Sequence, residues 1–341
     1  MPSDREQVAA RAVRPMAPGR AILAALRLGS VYVALLVIGI GLSFVSPFFL
    51  TTGNLMNVLL QAATVSIIAA GLTVVLIAGE IDLSIGSLIG MTGSVAAVLI
   101  IKHGYPPAVG ILCGLVAGIV AGFLNGLTTV IFRIPSFIVT LAMLGIAQGA
   151  GLLLTNGRPV SGFPEAYSFI GQGRVGPVPV PVIVALLVYI VIYLALTQTK
   201  FGVEVYAVGG SRRAAEMAGI RVNRVIVASF ALSGSCAAIA GIVLSSRLDA
   251  GNGNFGASNL LDAVAASVVG GTSLMGGAGS VVGTLGGILI ISIIRNGLVL
   301  LNVQAFWQEV AVGTIIVLAV VINQIARGEF RLSSIRRTLN R

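Results

Sequence analysis

Charge is what this chain most lacks. Only 9% of its 341 residues are charged, against about 25% in soluble domains, which excludes an ordinary water-soluble fold. Lysine occurs only at Lys102 and Lys200, and neither stands in a Gly-x-x-x-x-Gly-Lys-Ser/Thr context. The chain therefore has no P-loop with which to hydrolyse ATP itself. Its one histidine, His103, rules out a His-Glu-x-x-His site or a Cys/His metal cluster. The two cysteines, Cys113 and Cys236, lie far apart inside apolar runs and read as small packing residues, not as a disulfide. No Gly-x-Ser-x-Gly nucleophile elbow is present. Enzyme chemistry would have to run on Glu80, Asp82 or Asp262 with no companion group beside them.

What is present is apolar. Hydrophobic residues make up 57% of the chain, and the mean hydropathy is +1.04. A polytopic membrane protein follows. In lipid the backbone must satisfy its own polar groups, so the expected class is all-α. The apolar stretches are continuous rather than alternating, which disfavours a β-barrel. With roughly 20 residues per span, the runs fall near 28–48, 58–78, 83–101, 108–132, 136–154, 180–197, 225–246, 260–275, 280–301 and 308–326. About ten transmembrane helices are expected. The eighth run is short and carries Asp262, so eight full spans plus re-entrant segments is the competing layout. One membrane domain, 28–326, is flanked by a polar segment, 1–27, and a basic tail, 327–341.

The net charge of +10 would suggest nucleic acid in a soluble protein. Here it reflects topology. An N-inside chain with cytoplasmic termini places sixteen basic residues inside and four outside (Lys102, Arg158, Arg174 and Arg247), with Arg295 left in a span. That is the asymmetry of the positive-inside rule, and no nucleic-acid partner is expected. No short apolar stretch with a cleavage site follows the N-terminus, so the first span is expected to be uncleaved.

Polar interruptions carry the remaining information. The run Ala78 to Ser87, AGEIDLSIGS, puts Glu80 and Asp82 between stretches with no charge at all, since residues 28–79 and 83–101 have none. A carboxylate in mid-membrane costs on the order of 2.5–3.5 kcal/mol on insertion scales. The charge count puts this run at the cytoplasmic end of the second span, where the full burial cost is not expected. Glu80, Asp82, Ser84, Ser87, Asn125, Asp262 and Thr272 are candidates for lining a pathway or gate. Asp262 and Arg295 are candidates for pairing with each other. Gln61, Asn125, Gln148 and Asn296 are amides within spans, and bonding to a neighbouring helix is the commoner role for these.

Two polar segments are long. Thr155 to Pro179 lies outside and is rich in glycine and proline; Asn156 and Arg158 are its candidate residues. Segment 198–224 lies inside and is basic. There Ser211 is placed to cap a short helix of Arg212, Arg213, Ala214, Ala215, Glu216, Met217 and Ala218, closed by Gly219. A loop that only joins two helices is usually short, so a docking role is expected; a solvated linker helix on anionic lipid is the plain alternative. Glycine, at 44 residues, forms ladders at Gly114, Gly118, Gly122 and Gly126 and at Gly279, Gly283 and Gly287, which read as close helix packing. The stretch Val269 to Gly287 holds eight glycines. It reads equally well as irregular backbone at membrane depth or as a close-packed cytoplasmic turn.

Four stretches together resemble the permease subunits of bacterial ABC importers for monosaccharides, the ribose/xylose type. They are GLTVVLIAGEIDLSIGSLIGMTG (71–93), IPSFIVTLAMLGIAQGAGLLLTNGRPV (134–160), FGVEVYAVGGSRRAAEMAGIRVNRV (201–225) and LDAVAASVVGGTSLMGGAGSVVGTLGGILI (261–290). The chain departs from the group's pattern at Glu80, where glycine is common, and at Asn302 to Glu309. The resemblance implies a type II importer-like permease of the inner membrane with no cofactor of its own, ATP and Mg belonging to a partner ATPase. That ATPase would dock on Ser211, Arg212, Arg213, Ala214, Ala215, Glu216 and Gly219. A periplasmic sugar-binding protein and a second permease copy or paralogue complete the implied assembly. Permeases for nucleosides or branched-chain amino acids, and an ion-coupled secondary transporter, are the alternatives.

Overall fold

The computed structural model describes residues 18–326. Of the expected polar segment 1–27, residues 1–17 lie outside the described residues, as does the tail 327–341. The first helix, α1 (Pro18–Val45), begins well before residue 28. There follow α2 (Thr52–Ile77), α3 (Ile85–Ala97) with a π-helical turn (Val98–Lys102), α4 (Pro107–Phe132) and α5 (Ser136–Thr155). Then come α6 (Glu165–Gln172), α7 (Val180–Gln198), α8 (Lys200–Gly210), α9 (Arg212–Met217) and α10 (Val222–Leu248). The last three are α11 (Ala257–Val269), α12 (Val281–Leu300) and α13 (Ala305–Ala326). Four two-residue strands, β1 (Val160–Ser161), β2 (Arg174–Val175), β3 (Val178–Pro179) and β4 (Ala250–Gly251), pair antiparallel as β1–β4 and β2–β3.

Among the described residues, seven helices are long and apolar enough to cross a membrane, and three apolar helices are shorter. Every apolar run read from the sequence is a helix. The eighth, α11, has 13 residues, about 20 Å at 1.5 Å per residue, which falls short of a hydrocarbon core of roughly 30 Å. It ends at Val269, so Thr272 lies in the turn that follows. The ninth, α12, is a separate helix of full length, so the two do not merge into one re-entrant element.

Helices α2 and α10 form the buried centre. Helix α2 is surrounded by α7, α10, α11 and α12; α10 packs on α2, α3 and α4. The glycine ladder of α4 explains the tightest of these contacts. A Cβ at Gly122 would lie 2.3 Å from the Phe230 carbonyl oxygen, and one at Gly126 would lie 2.7 Å from Val227 Cα. Only glycine lets the two backbones approach so closely.

The outer segment 155–179 is more ordered than a loop. Tyr167 of α6 is fully buried and shares a hydrogen bond of 2.8 Å with Ser245, while Ser246 Oγ donates to the Tyr167 carbonyl at 2.6 Å. With the β1–β4 pair, α6 closes over the outer end of α10. Asn156 is a left-handed cap of α5 (φ 53°), and Arg158 is exposed.

Candidate functional site

The polar interruption at the end of α2 builds the first site. Residues 80–83 are irregular and Ser84, the cap of α3, is already helical (φ −78°, ψ −20°); Glu80, Asp82 and Ser84 are buried while Ile81 and Leu83 are half-buried. Both carboxylates are turned inward. Asp82 is 0% exposed, which corrects the expectation that the whole run rests at a boundary and escapes burial. Helices α4 and α10 cover it. Its Oδ1 accepts from the Ser84 amide at 3.0 Å and the Ser84 hydroxyl at 2.6 Å; its Oδ2 accepts from Ser233 at 2.8 Å. Asn125 Nδ2 donates to Ser84 Oγ at 2.9 Å. The carboxylate also sits at the N-terminus of α3, where the helix dipole favours negative charge. Ser87 is buried one turn along α3.

Glu80 has a different setting. It is 4% exposed and forms an ion pair with Arg212, the first residue of α9. Burial pushes its carboxyl above the usual range, and Ser136 and Arg212 pull it back only in part. Glu80, Ser136, Arg133, Arg212, Glu216 and Asn223 face a cavity of about 730 Å³ at the inner end of the helices.

Helix α9 forms as the sequence suggests. Ser211 is extended (φ −167°, ψ 108°), and its Oγ accepts from the Ala214 amide; Gly219 has φ +82°. The helix presents Arg213, Ala214, Glu216 and Met217 outward, and Met217 is 82% exposed. Ala215 is 3% exposed and packs into the main core. Of the two alanines expected to meet a partner, Ala214 is exposed and Ala215 is not, and Met217 is exposed beside Ala214.

Behind α9, three backbones meet. The Gly277 amide donates to the Ile77 carbonyl at 2.9 Å, and a Cβ at Gly209 would lie 1.7 Å from that same oxygen. Tyr206 Oη donates to the Gly279 carbonyl at 2.8 Å. The glycine-rich stretch is therefore a close-packed turn against the ends of α2 and α8. Thr272 faces hydroxyls rather than a cavity: Thr73, Ser267, Thr272 and Thr284 form a buried cluster joining α2, α11 and α12.

Residues 54–320 match the family described as branched-chain amino acid transport system / permease component. This chain belongs to that family. It is 41% identical to the ribose import permease protein RbsC of Bacillus subtilis (strain 168), over 86% of this chain and 91% of that protein. It is 38% identical to the ribose import permease protein RbsC of Escherichia coli (strain K12), over 85% and 92%. It is 35% identical to the xylose transport system permease protein XylH of Escherichia coli (strain K12), over 80% and 85%. No solved structure matches it.

The permease is thus a multi-pass inner-membrane transport component and not itself an enzyme. Among the described residues, no group of three or more His, Cys, Asp or Glu is placed to hold a metal. The far end of the permease holds a second polar group. Arg295 of α12 donates to Asp262 of α11 from Nη2 at 2.7 Å and to Glu309 of α13 from Nη1 at 3.2 Å. The pairing expected of Asp262 and Arg295 is present; Glu309, which the sequence reading did not single out, completes it. The network joins the short helix α11 to its two neighbours, so its charges are paired at membrane depth.

Proposed function

We propose that this permease is the membrane-spanning subunit of an ATP-driven importer that passes a monosaccharide of the ribose or xylose type. A periplasmic binding protein delivers the sugar, and a separate ATPase subunit supplies the energy. A second copy or a paralogue completes the pathway. The observation that carries the reading is α9: a capped, exposed helix on the inner face of a chain with no P-loop, tied through Arg212 to Glu80. An ion-coupled transporter has no use for such a surface. The names of the relatives support a sugar as cargo.

Mechanistically, the ATPase moves α8 and α9, and the rigid glycine junction carries that motion to the end of α2. The Glu80 link carries it to the irregular segment that holds Asp82. Coupling is then the differential stabilisation of two access states. The test is reconstitution in proteoliposomes. Labelled ribose or xylose uptake that requires ATP, the ATPase and the binding protein supports the reading. Uptake by the permease alone under an ion gradient would overturn it. Uptake of leucine or a nucleoside but no sugar would reassign the cargo.

A further inference from the structure

A second cavity, of about 260 Å³, lies between α2, α10, α11 and α12 in the outer half of the helices. Helical periodicity builds its polar wall. Gln61 and Thr64 are three apart on α2, and Asn259 and Asp262 are three apart on α11, so each pair shares one helix face. Arg247, near the end of α10, and Ser292 of α12 close the ring. We propose that this cavity is a monosaccharide-binding waystation within the permease, a step at which the membrane subunit itself selects cargo. The proposal rests on the sugar-importer reading above.

Three observations point to a ligand. Thr64 is 2% exposed, lines the cavity, and its Oγ1 has no hydrogen-bond partner. A buried hydroxyl left unpaired is destabilising and calls for an explanation. Arg247 donates only to the Leu60 carbonyl, at 3.3 Å, and has no acidic partner among the described residues. Asp262 accepts from Arg295 through Oδ1, while its Oδ2 carries no hydrogen bond among the described residues. A carboxylate, a guanidinium, amides and hydroxyls on the residues that line one small space suit the adjacent hydroxyls of a sugar ring.

Size narrows the class. A space of about 260 Å³ is of the size of one ring sugar. No aromatic ring lines the cavity to stack on a sugar face. Binding is therefore weak, as a passage requires: firm enough to enter, loose enough to leave.

The test uses the assembled importer carrying Thr64→Val, Thr64→Ser or Arg247→Gln. Valine keeps the shape and removes the unpaired hydroxyl. A purely structural Thr64 would make Thr64→Val at least as heat-stable as wild type with unchanged transport. The proposal expects the same stability with sugar uptake per ATP lowered by about tenfold, the loss of one hydrogen bond. Thr64→Ser retains uptake, and Arg247→Gln lowers it for ribose and xylose to different extents. ATPase stimulation by the loaded binding protein stays normal in all three. If Thr64→Val and Arg247→Gln assemble and carry sugar at wild-type rates, the waystation is overturned and the importer reading stands. If the wild-type importer carries no sugar at all, the importer reading fails, and the ligand class assigned here fails with it.

Discussion

Arg212 opens α9 and donates to Glu80 Oε1, so the exposed inner helix is tied to the first buried residue of the segment that holds Asp82. Arg212 is half-exposed and Glu80 is nearly enclosed. A link with one end in solvent and one in the core suits transmission better than stability, because exposed ion pairs contribute little.

Reversing the pair tests that role. Arg212→Glu places two carboxylates together and should lower sugar uptake while ATP hydrolysis continues, because the two motions are separated. The double variant Glu80→Arg with Arg212→Glu should recover part of the uptake. Measuring uptake and hydrolysis in the same vesicles checks it; a double variant no better than the worse single one would show that the pairing itself is unimportant.

The same pair has a pH signature. Burial holds the Glu80 carboxyl above its ordinary value. For such an acid, stability is complete below the unfolded pKa, about 4.3, and is lost as pH rises through the higher folded value. Removing the Arg212 charge raises the folded value further. Arg212→Gln should therefore match wild type in melting temperature near pH 4 and fall behind it as the pH rises above that. Adding Glu80→Gln to Arg212→Gln should abolish that divergence.

Asp82 sits at the centre of a network fully enclosed by α3, α4 and α10. Asp82→Asn preserves the shape but replaces one carboxylate oxygen by an amide NH₂ and removes the charge, so the NH₂ faces either the Ser233 hydroxyl at Oδ2 or the Ser84 amide and hydroxyl at Oδ1. Hydrogen bonds to a charged group contribute about 1.5–3 kcal/mol each. Transport should fall at least tenfold with insertion intact, read as uptake against the amount of permease in the membrane. Normal uptake would make Asp82 a structural cap of α3 alone.

Gly209 and Gly210 offer a contrast between neighbours. A Cβ on Gly209 would run into the Ile77 carbonyl, whereas one on Gly210 would meet nothing within 4 Å. Gly209→Ala should cost about 1–3 kcal/mol or more by overpacking and disconnect α8 from α2. Gly210→Ala should be neutral or stabilise by up to about 1 kcal/mol. Melting temperatures in detergent would separate the two.

Sequence patterns made much of this legible, for physical reasons. Lipid demands long apolar helices, so the spans follow from composition, and the shortness of α11 was visible in the interruption at Asp262. The cap at Ser211 and the stop at Gly219 are local chemistry, readable from neighbouring residues. What depends on the third dimension was hidden. The burial of Asp82 depends on Ser233, 151 positions away. The outer cavity needed four helices to bring Gln61, Thr64, Arg247, Asn259 and Ser292 to one space. The glycine-rich stretch 269–287 was ambiguous because close packing and irregular backbone use the same residue.

The alanines of α9 give the sharpest separation between folding and docking. Ala215 packs into the core, while Ala214 and Met217 face outward. Ala215→Leu should therefore destabilise the permease itself, since overpacking a filled core costs about 1–3 kcal/mol. Met217→Asp should leave the fold unchanged, because the side chain is 82% exposed, yet it puts a charge on the surface proposed to meet the ATPase. Loss of the ATPase on co-purification with Met217→Asp, at unchanged melting temperature, is the expected result. A complex that survives Met217→Asp but is lost with Ala215→Leu would mean that α9 supports the fold and that the docking surface lies elsewhere on the inner face.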